Sequence, residues 1–366
     1  MKQHNNRLIL WCDGIDSLLL GESKAAGIQV QMLMWARVFV EKGWSVYSFS
    51  TKDKPKDVQS IHFIKEHTPS WMRVLHLQLI GELYSCLKTM LSVKPRIIIC
   101  RGSSRSLYYI ALLSKWIGPK LVFFGASDLN FQIGKEAKRG APINIHMYRK
   151  GLQKTYFFVT QNALQSETLK SNYNKSSIII PNIWPDVPSL SSNKKKYDVI
   201  WVSNLKPLKR AEWVLNLADC NNDYQMAIIG GSANNDYYNS IEERAKSISN
   251  LYFGGSQPFE KTTELIGVSR VLLCTSTSEG FPNTFLQAWS QGIPVISTVD
   301  PSGIIEKYNL GIVVNSEEEL SKAVIKMLED CGFYKNCVES IFDYFHKNHS
   351  MEHAYNKLMS YLDEEQ

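Results

Sequence analysis

Thr277-Ser-Glu-Gly-Phe-Pro-Asn-Thr-Phe-Leu-Gln-Ala-Trp-Ser-Gln-Gly-Ile-Pro294 lies between two apolar runs, Val271-Leu-Leu-Cys274 and Pro294-Val-Ile-Ser297. The runs read as strands and the stretch between them as a polar loop feeding a short helix. Pro282, Asn283 and Thr284 are residues that begin helices. Gly292 followed by Pro294 is how a helix stops. Unpaired N–H groups and the helix dipole make such an N-terminus a place for phosphate. Glu279 is anionic and cannot bind phosphate, but it accepts hydrogen bonds from hydroxyls. Anion-binding amides beside a hydroxyl-binding carboxylate point to a phosphorylated sugar.

The same alternation runs along the whole chain. Strands are predicted at 8–12, 45–50, 61–64, 96–100, 120–124, 156–160 and 177–180. A second set is predicted at 198–202, 225–229, 251–253, 271–274, 294–297 and 311–314. Many are continuous Ile/Val/Leu/Phe runs, the pattern of strands buried on both faces of a parallel sheet. Strand–helix–strand order used twice predicts an α/β protein of two Rossmann-like, doubly wound domains. The boundary is predicted at Pro181-Asn-Ile-Trp-Pro-Asp-Val-Pro188 and the Ser- and Lys-rich run up to Lys196. The domains are then 1–190 and 197–344.

At 366 residues, 44% hydrophobic and 21% charged, the chain has the composition of a soluble globular protein. Its charge is unevenly placed. Up to Lys196 there are 28 Lys and Arg against 12 Asp and Glu, a net +16, and the remainder carries −10. A basic first half suits an anionic partner: a membrane surface, a lipid-linked pyrophosphate or an acidic glycan. No nucleic-acid recognition motif accompanies it, so nucleic acid is not expected. The seven cysteines form no Cys-x-x-Cys pair, and Cys12, Cys100 and Cys274 fall inside apolar strands, which argues for a reducing cytosol. The polar N-terminus runs into a strand without the pattern of a signal peptide. Charges interrupt every apolar run before it reaches the roughly 18 residues that span a bilayer. A cytoplasmic protein is expected, with peripheral contact at the inner face of the cell membrane.

With its flanking strands, the opening stretch resembles the Glu-x7-Glu signature of retaining GT-B glycosyltransferases of family 4, the group 1 glycosyltransferases. There Glu-Gly-Phe-Pro-Asn-Thr precedes a second Glu; here Glu279 is present and Gln287 stands at the second position. The resemblance covers 198–314 strongly and 1–190 more loosely. It implies two Rossmann-like domains facing a cleft, with a C-terminal helix (about 345–366) crossing back to the first. It also implies transfer of a sugar from a nucleotide-sugar to a hydroxyl of a glycan or polyprenyl-linked glycan, with retention. The setting implied is bacterial capsule, O-antigen or exopolysaccharide assembly, with no metal or other cofactor. Glu279 would hold donor-sugar hydroxyls and Gln287 the ribose. Amides around Gly280, Phe281, Asn283 and Thr284 would hold the sugar–phosphate.

Trp201-Val-Ser-Asn-Leu-Lys-Pro-Leu-Lys-Arg-Ala-Glu212 resembles the family's Gly-Arg-Leu-x-x-x-Lys loop, whose cations neutralise the donor diphosphate. Lys209 holds the Lys position with Arg210 beside it, and Asn204 replaces the Arg. A leaving nucleoside diphosphate needs such a cation as charge develops on it. Gly254, in Phe253-Gly-Gly-Ser-Gln257, falls in a loop that meets the base through backbone atoms; a plain turn reads equally well. In the first domain Gly27 matches a loop near the diphosphate. Asp128, in Phe123-Phe-Gly-Ala-Ser-Asp128, is either a group facing the reacting sugar or a helix cap alongside Ser127. Arg101 and Arg105 read as surface charge, with an anionic acceptor as the alternative. His346, His349 and His353 read as one solvated helix face rather than a metal site. Two rivals keep the same architecture, a nucleotide-sugar 2-epimerase and a catalytically weakened partner subunit. A nicotinamide-dependent dehydrogenase lacks its Gly-x-Gly-x-x-Gly.

Overall fold

The computed structural model describes residues 6–20, 27–50, 52, 56–65, 78–102, 104–134, 142–185, 195–231, 235–279 and 281–364. The chain divides into two compact units, Met1–Ile183 with Met351–Gln366, and Trp184–Ser350. The first holds β1 (Arg7–Asp13), β2 (Ser45–Ser50), β3 (Ile61–Lys65), β4 (Ile97–Arg101), β5 (Lys120–Phe124), β6 (Phe157–Thr160) and β7 (Ile178–Ile179). They form one sheet in the order β3-β2-β1-β4-β5-β6-β7. The second unit holds β8 (Tyr197–Val202), β9 (Met226–Ile229), β10 (Leu251–Gly255), β11 (Ser269–Cys274), β12 (Val295–Ser297) and β13 (Gly311–Val313), in the order β10-β9-β8-β11-β12-β13. Every pairing between these strands is parallel. Two Rossmann-like units are therefore present, as the continuous apolar runs require. Ile97, Ile98 and Ile99 are all buried, as are Met226 to Ile229, because helices cover both faces of each sheet.

In both units the order reverses once: between β1 and β4 in the first, between β8 and β11 in the second. Crossovers leave these strand pairs in opposite directions, so the loops at their carboxyl ends part and open a crevice.

The C-terminal segment is two helices rather than one. Helix Cys331–His349 belongs to the second unit, and helix Met351–Glu364 to the first. The expected crossing near residue 345 instead comes at Ser350, because Phe345 and His349 are buried in the second unit. Ser350 has an extended backbone (φ −58°, ψ 131°) and bridges Trp184, whose N–H donates to the His349 carbonyl at 3.0 Å. Within the first unit helix 351–364 buries Met351, Ala354, Leu358 and Leu362. Tyr355 stacks edge-on against Phe39 and accepts from Trp44 Nε1 at 3.0 Å.

At Gly230, just after β9, a Cβ would lie 1.8 Å from the Ser203 carbonyl oxygen, while the Gly230 N–H donates to Gly255 at 2.8 Å. The ends of β8, β9 and β10 close on one another there. Gly230→Ala is expected to cost at least about 2 kcal/mol, read as a lower urea midpoint; an unchanged midpoint would contradict this packing.

All seven cysteines are free. Burial pushes the Cys12 thiol up to about 12 and the Cys337 thiol up to about 11, and raises Cys100 and Cys274 as well. Cys220 and Cys331 are exposed. A chromogenic disulfide reagent at pH 8 is expected to consume those two thiols rapidly, the half-buried Cys12 more slowly, and the four buried thiols only after unfolding. A larger fast phase on the native chain would contradict the burial.

Candidate active site

The loops that follow β8 and β11 meet at the second unit's reversal point. After β8 the chain makes a 3₁₀ turn, Pro207–Lys209, started by Lys206 in an extended conformation and Pro at the first position. Arg210 then takes a left-handed conformation (φ 49°, ψ 53°) that few residues other than glycine adopt. The second loop holds it there. Thr275, fully buried just past β11, shares its hydroxyl proton between the Lys209 and Arg210 carbonyls at 2.7 and 3.0 Å, and accepts from Trp201 Nε1 at 3.0 Å. In return Arg210 donates through Nε to the Thr275 carbonyl (2.5 Å) and through Nη2 to that of Ser276 (3.3 Å), with its guanidinium 4.0 Å above the Trp213 ring. The Thr277 N–H donates to the Leu208 carbonyl at 2.9 Å. Arg210 is thus committed to backbone carbonyls; its charge assembles the site.

This stitching places Lys209 Nζ on Glu279 Oε1 as an ion pair, and Ser276 Oγ donates to the same oxygen at 2.9 Å. The two side chains are only 15% and 22% exposed. Each charge is therefore largely taken out of water, where its partner matters more than on an open surface. A cation and a carboxylate, 70 residues apart in sequence, form one unit at the carboxyl ends of the two strands flanking the reversal.

The other expected residues of this unit lie at the start of or within helix 283–289, after β8 and in β10. Helix Asn283–Trp289 follows Pro282 and buries Phe285 to Trp289. Asn283 and Thr284 sit half-buried in its first turn; Gly280 lies outside the described residues. Phe281 packs against Trp289 and His349, ring centroids 6.2 and 5.5 Å away. Gln287 is 4% exposed and gives its amide N–H to Thr263 Oγ1 at 3.1 Å. Asn204 is exposed in the turn after β8. Gly254 lies inside β10 rather than in a loop; a Cβ there would come within 2.5 Å of Ile229 Cδ1, which explains the glycine by packing.

Two expected residues belong to the first unit. Gly27 begins helix Gly27–Glu41, and the loop before it, 21–26, lies outside the described residues. Asp128 is not the cap: Ser127 is, in a reciprocal capping box with Asn130. The Asp128 carboxylate instead accepts from Gln165 Nε2 at 2.9 Å and Asn162 Nδ2 at 3.3 Å, tying its turn to helix Ala163–Tyr173.

Three surface assignments are corrected. Arg105 is held by Glu82 through Nε and Nη2 and by Asn144 at 3.0 Å. Arg101 is half-buried with its Nε shut off from solvent, and desolvation pushes its guanidinium down to about 10. His349 is fully buried among Phe281, Trp289, Tyr344 and Phe345, and His353 lies on the other helix, past the break at Ser350. Among the described residues no group of three or more His, Cys, Asp or Glu is placed to hold a metal ion.

Thr275, Ser276 and Trp201 were not singled out from the sequence. The available signal was the hydroxyl pair Thr275-Ser276 directly after the strand that leads to Glu279. Thr275→Val keeps the shape and removes the hydroxyl from the Trp201 indole and two carbonyls. It is expected to cost about 2 kcal/mol, lowering the melting temperature by roughly 4–8 °C. A melting temperature within a degree of the parent would contradict the role given to Thr275.

Residues 182–342 match the family model of group 1 glycosyl transferases. The O-antigen biosynthesis glycosyltransferase WbnH of Escherichia coli is 26% identical over 161 residues, 43% of this chain and 45% of the relative, so the match spans about half the length of that protein. Sucrose-phosphate synthase from Thermosynechococcus elongatus is similar in fold, with a TM-score of 0.71, 14% identity and 98% of each chain covered. Anabaena HepE, solved in complex with UDP-glucose, has a TM-score of 0.67 at 12% identity, covering 98% of this chain and 99% of its own. The segment 182–342, which contains Lys209, Glu279 and Gln287, thus carries the group 1 glycosyl transferase pattern, in a chain whose two Rossmann-like units have the fold class of GT-B glycosyltransferases.

Proposed function

We propose that this chain is a retaining glycosyltransferase that moves a sugar from a nucleoside diphosphate sugar to a hydroxyl of a glycan or lipid-linked glycan, in bacterial surface polysaccharide assembly. The observation that carries this reading is the Lys209–Glu279 pair at the reversal point of the second sheet. Before donor arrives each neutralises the other. The donor diphosphate replaces Glu279 as the partner of Lys209, and Glu279, still held by Ser276, turns its freed acceptor capacity to hydroxyls of the sugar. Lys209 exchanges one anionic partner for another, while the Glu279 carboxylate keeps hydroxyl donors.

In the transfer step the bond between the anomeric carbon and the leaving phosphate oxygen breaks, and the acceptor oxygen bonds to that carbon on the same face. The acceptor proton passes to the leaving phosphate oxygen. No protein base is needed; Lys209 stabilises the charge that develops on the diphosphate. Gln287, whose amide N–H is spent on Thr263, keeps its Oε1 as an acceptor for a ribose hydroxyl. The net +16 of the first 196 residues supports an acceptor presented at an anionic surface. Among the described residues no helix is long and apolar enough to cross a membrane, so that contact would be peripheral.

A thermal-shift panel with UDP, GDP, ADP and CMP, each with and without EDTA, tests the reading. One nucleoside diphosphate is expected to stabilise the native chain by about 2.7 kcal/mol at a hundredfold excess over its Kd, with EDTA making no difference. Lys209→Ala is expected to abolish that shift. Glu279→Ala is expected to keep it and lose the further increment that the matching nucleotide-sugar adds. No shift with any nucleotide would end this proposal.

A further inference from the structure

The first unit has its own reversal point, between β1 and β4, and Arg101 is the last residue of β4. We infer that Arg101, oriented by Asn182, forms an oxyanion subsite in the first unit, for a carboxylate or phosphate carried by a ligand. That the ligand is the acceptor rests on the glycosyltransferase reading; that the site binds an oxyanion does not.

The guanidinium carries five N–H donors in a planar fork. Nη2 donates to Asn182 Oδ1 at 2.7 Å, and Nε is buried with no hydrogen-bond partner. Among the described residues Arg101 forms no ion pair. The nearby Cys12 thiol is held neutral by burial and supplies no counter-charge. A half-buried guanidinium whose Nε is shut off from water without an acceptor, with one neutral partner among the described residues, is a costly arrangement that an arriving anion relieves. Arg105, four residues on, shows the satisfied alternative: the same side chain clasped by Glu82 through Nε and Nη2, with Nη1 on Asn144.

Asn182 is itself firmly placed. It is 8% exposed, and its neighbour Ile183 is held through both backbone groups by buried Gln31, at 3.2 and 2.9 Å. Asn182 is the positioning residue: by holding Nη2 it fixes the plane of the fork, whose remaining donors include the unpartnered Nε. A planar fork fits two oxygens of a carboxylate or phosphate, which a lysine at the same place would not match. The two sources in view are the phosphate of a glycosyl-phosphate acceptor and the carboxylate of an acidic sugar.

The test is isothermal titration of the full chain with inorganic pyrophosphate and, separately, with glucuronate. Both are run in a Lys209→Ala background, so that pyrophosphate does not report on the second unit. One probe is expected to bind with one equivalent. Adding Arg101→Gln should weaken it at least tenfold, and Arg101→Lys, which keeps the charge and loses the fork, several-fold. Preference for pyrophosphate assigns a phosphate source, and preference for glucuronate an acidic sugar. Unchanged affinity in the folded Arg101→Gln protein overturns the subsite, as does failure of the Lys209→Ala chain to bind either probe. Should Arg101→Gln not fold, Arg101→Lys decides, since affinity equal to the arginine chain overturns the fork. Loss of pyrophosphate binding in the Arg101 variants, beside a native chain indifferent to nucleotides, would leave the subsite standing and remove the glycosyltransferase reading.

Discussion

A parallel sheet covered by helices on both faces leaves only its strand ends for chemistry, and this constraint organises both units. Each crossover buries its strand, so polar side chains collect where strands stop. At one point per sheet the crossovers depart in opposite directions and the loops separate. Lys209 and Glu279 lie at that point in the second unit, and Arg101 at the corresponding point in the first. Their positions follow from the winding of the chain before any ligand is considered.

The second consequence is electrostatic. Residues at such strand ends are half out of water, so a charge there must be answered locally. Three arginines illustrate the options. Arg105 takes a carboxylate, Arg210 takes two backbone carbonyls and an aromatic face, and Arg101 takes one amide oxygen and keeps donor capacity in reserve. Lys209 and Glu279 answer each other through one carboxylate oxygen, which Ser276 also holds. Thr275 makes this pairing possible: a single hydroxyl holds the left-handed turn at Arg210 against β11, so the lysine loop and the glutamate loop share one frame.

Much of this was legible in the chain. Unbroken apolar runs such as Ile97 to Ile99 announce strands buried on both faces, because no other environment hides every side chain of a strand. The helix start at Pro282 and Asn283 and its stop at Gly292 follow from local backbone preferences. Glu279 and Lys209 stood out by their motifs, although nothing in either motif pairs them. Gly230 was visible as a turn, although its reason, the Ser203 carbonyl closing on it, was not.

What residue type and spacing determined, then, was the alternation of strands and helices, the double winding, and which loops hold polar groups at strand ends. Tertiary structure alone decided the rest. It paired Lys209 with Glu279, turned Arg210 from a ligand-facing cation into a clamp on Thr275 and Ser276, and gave Asp128 to Gln165 and Asn162 rather than to a cap. It also buried His349 and the Nε of Arg101, which their sequence surroundings had placed in solvent. The physical reason is range: helix caps, strand periodicity and turns act over a few residues, whereas the partner of a buried charge is chosen by which distant segment the fold brings beside it.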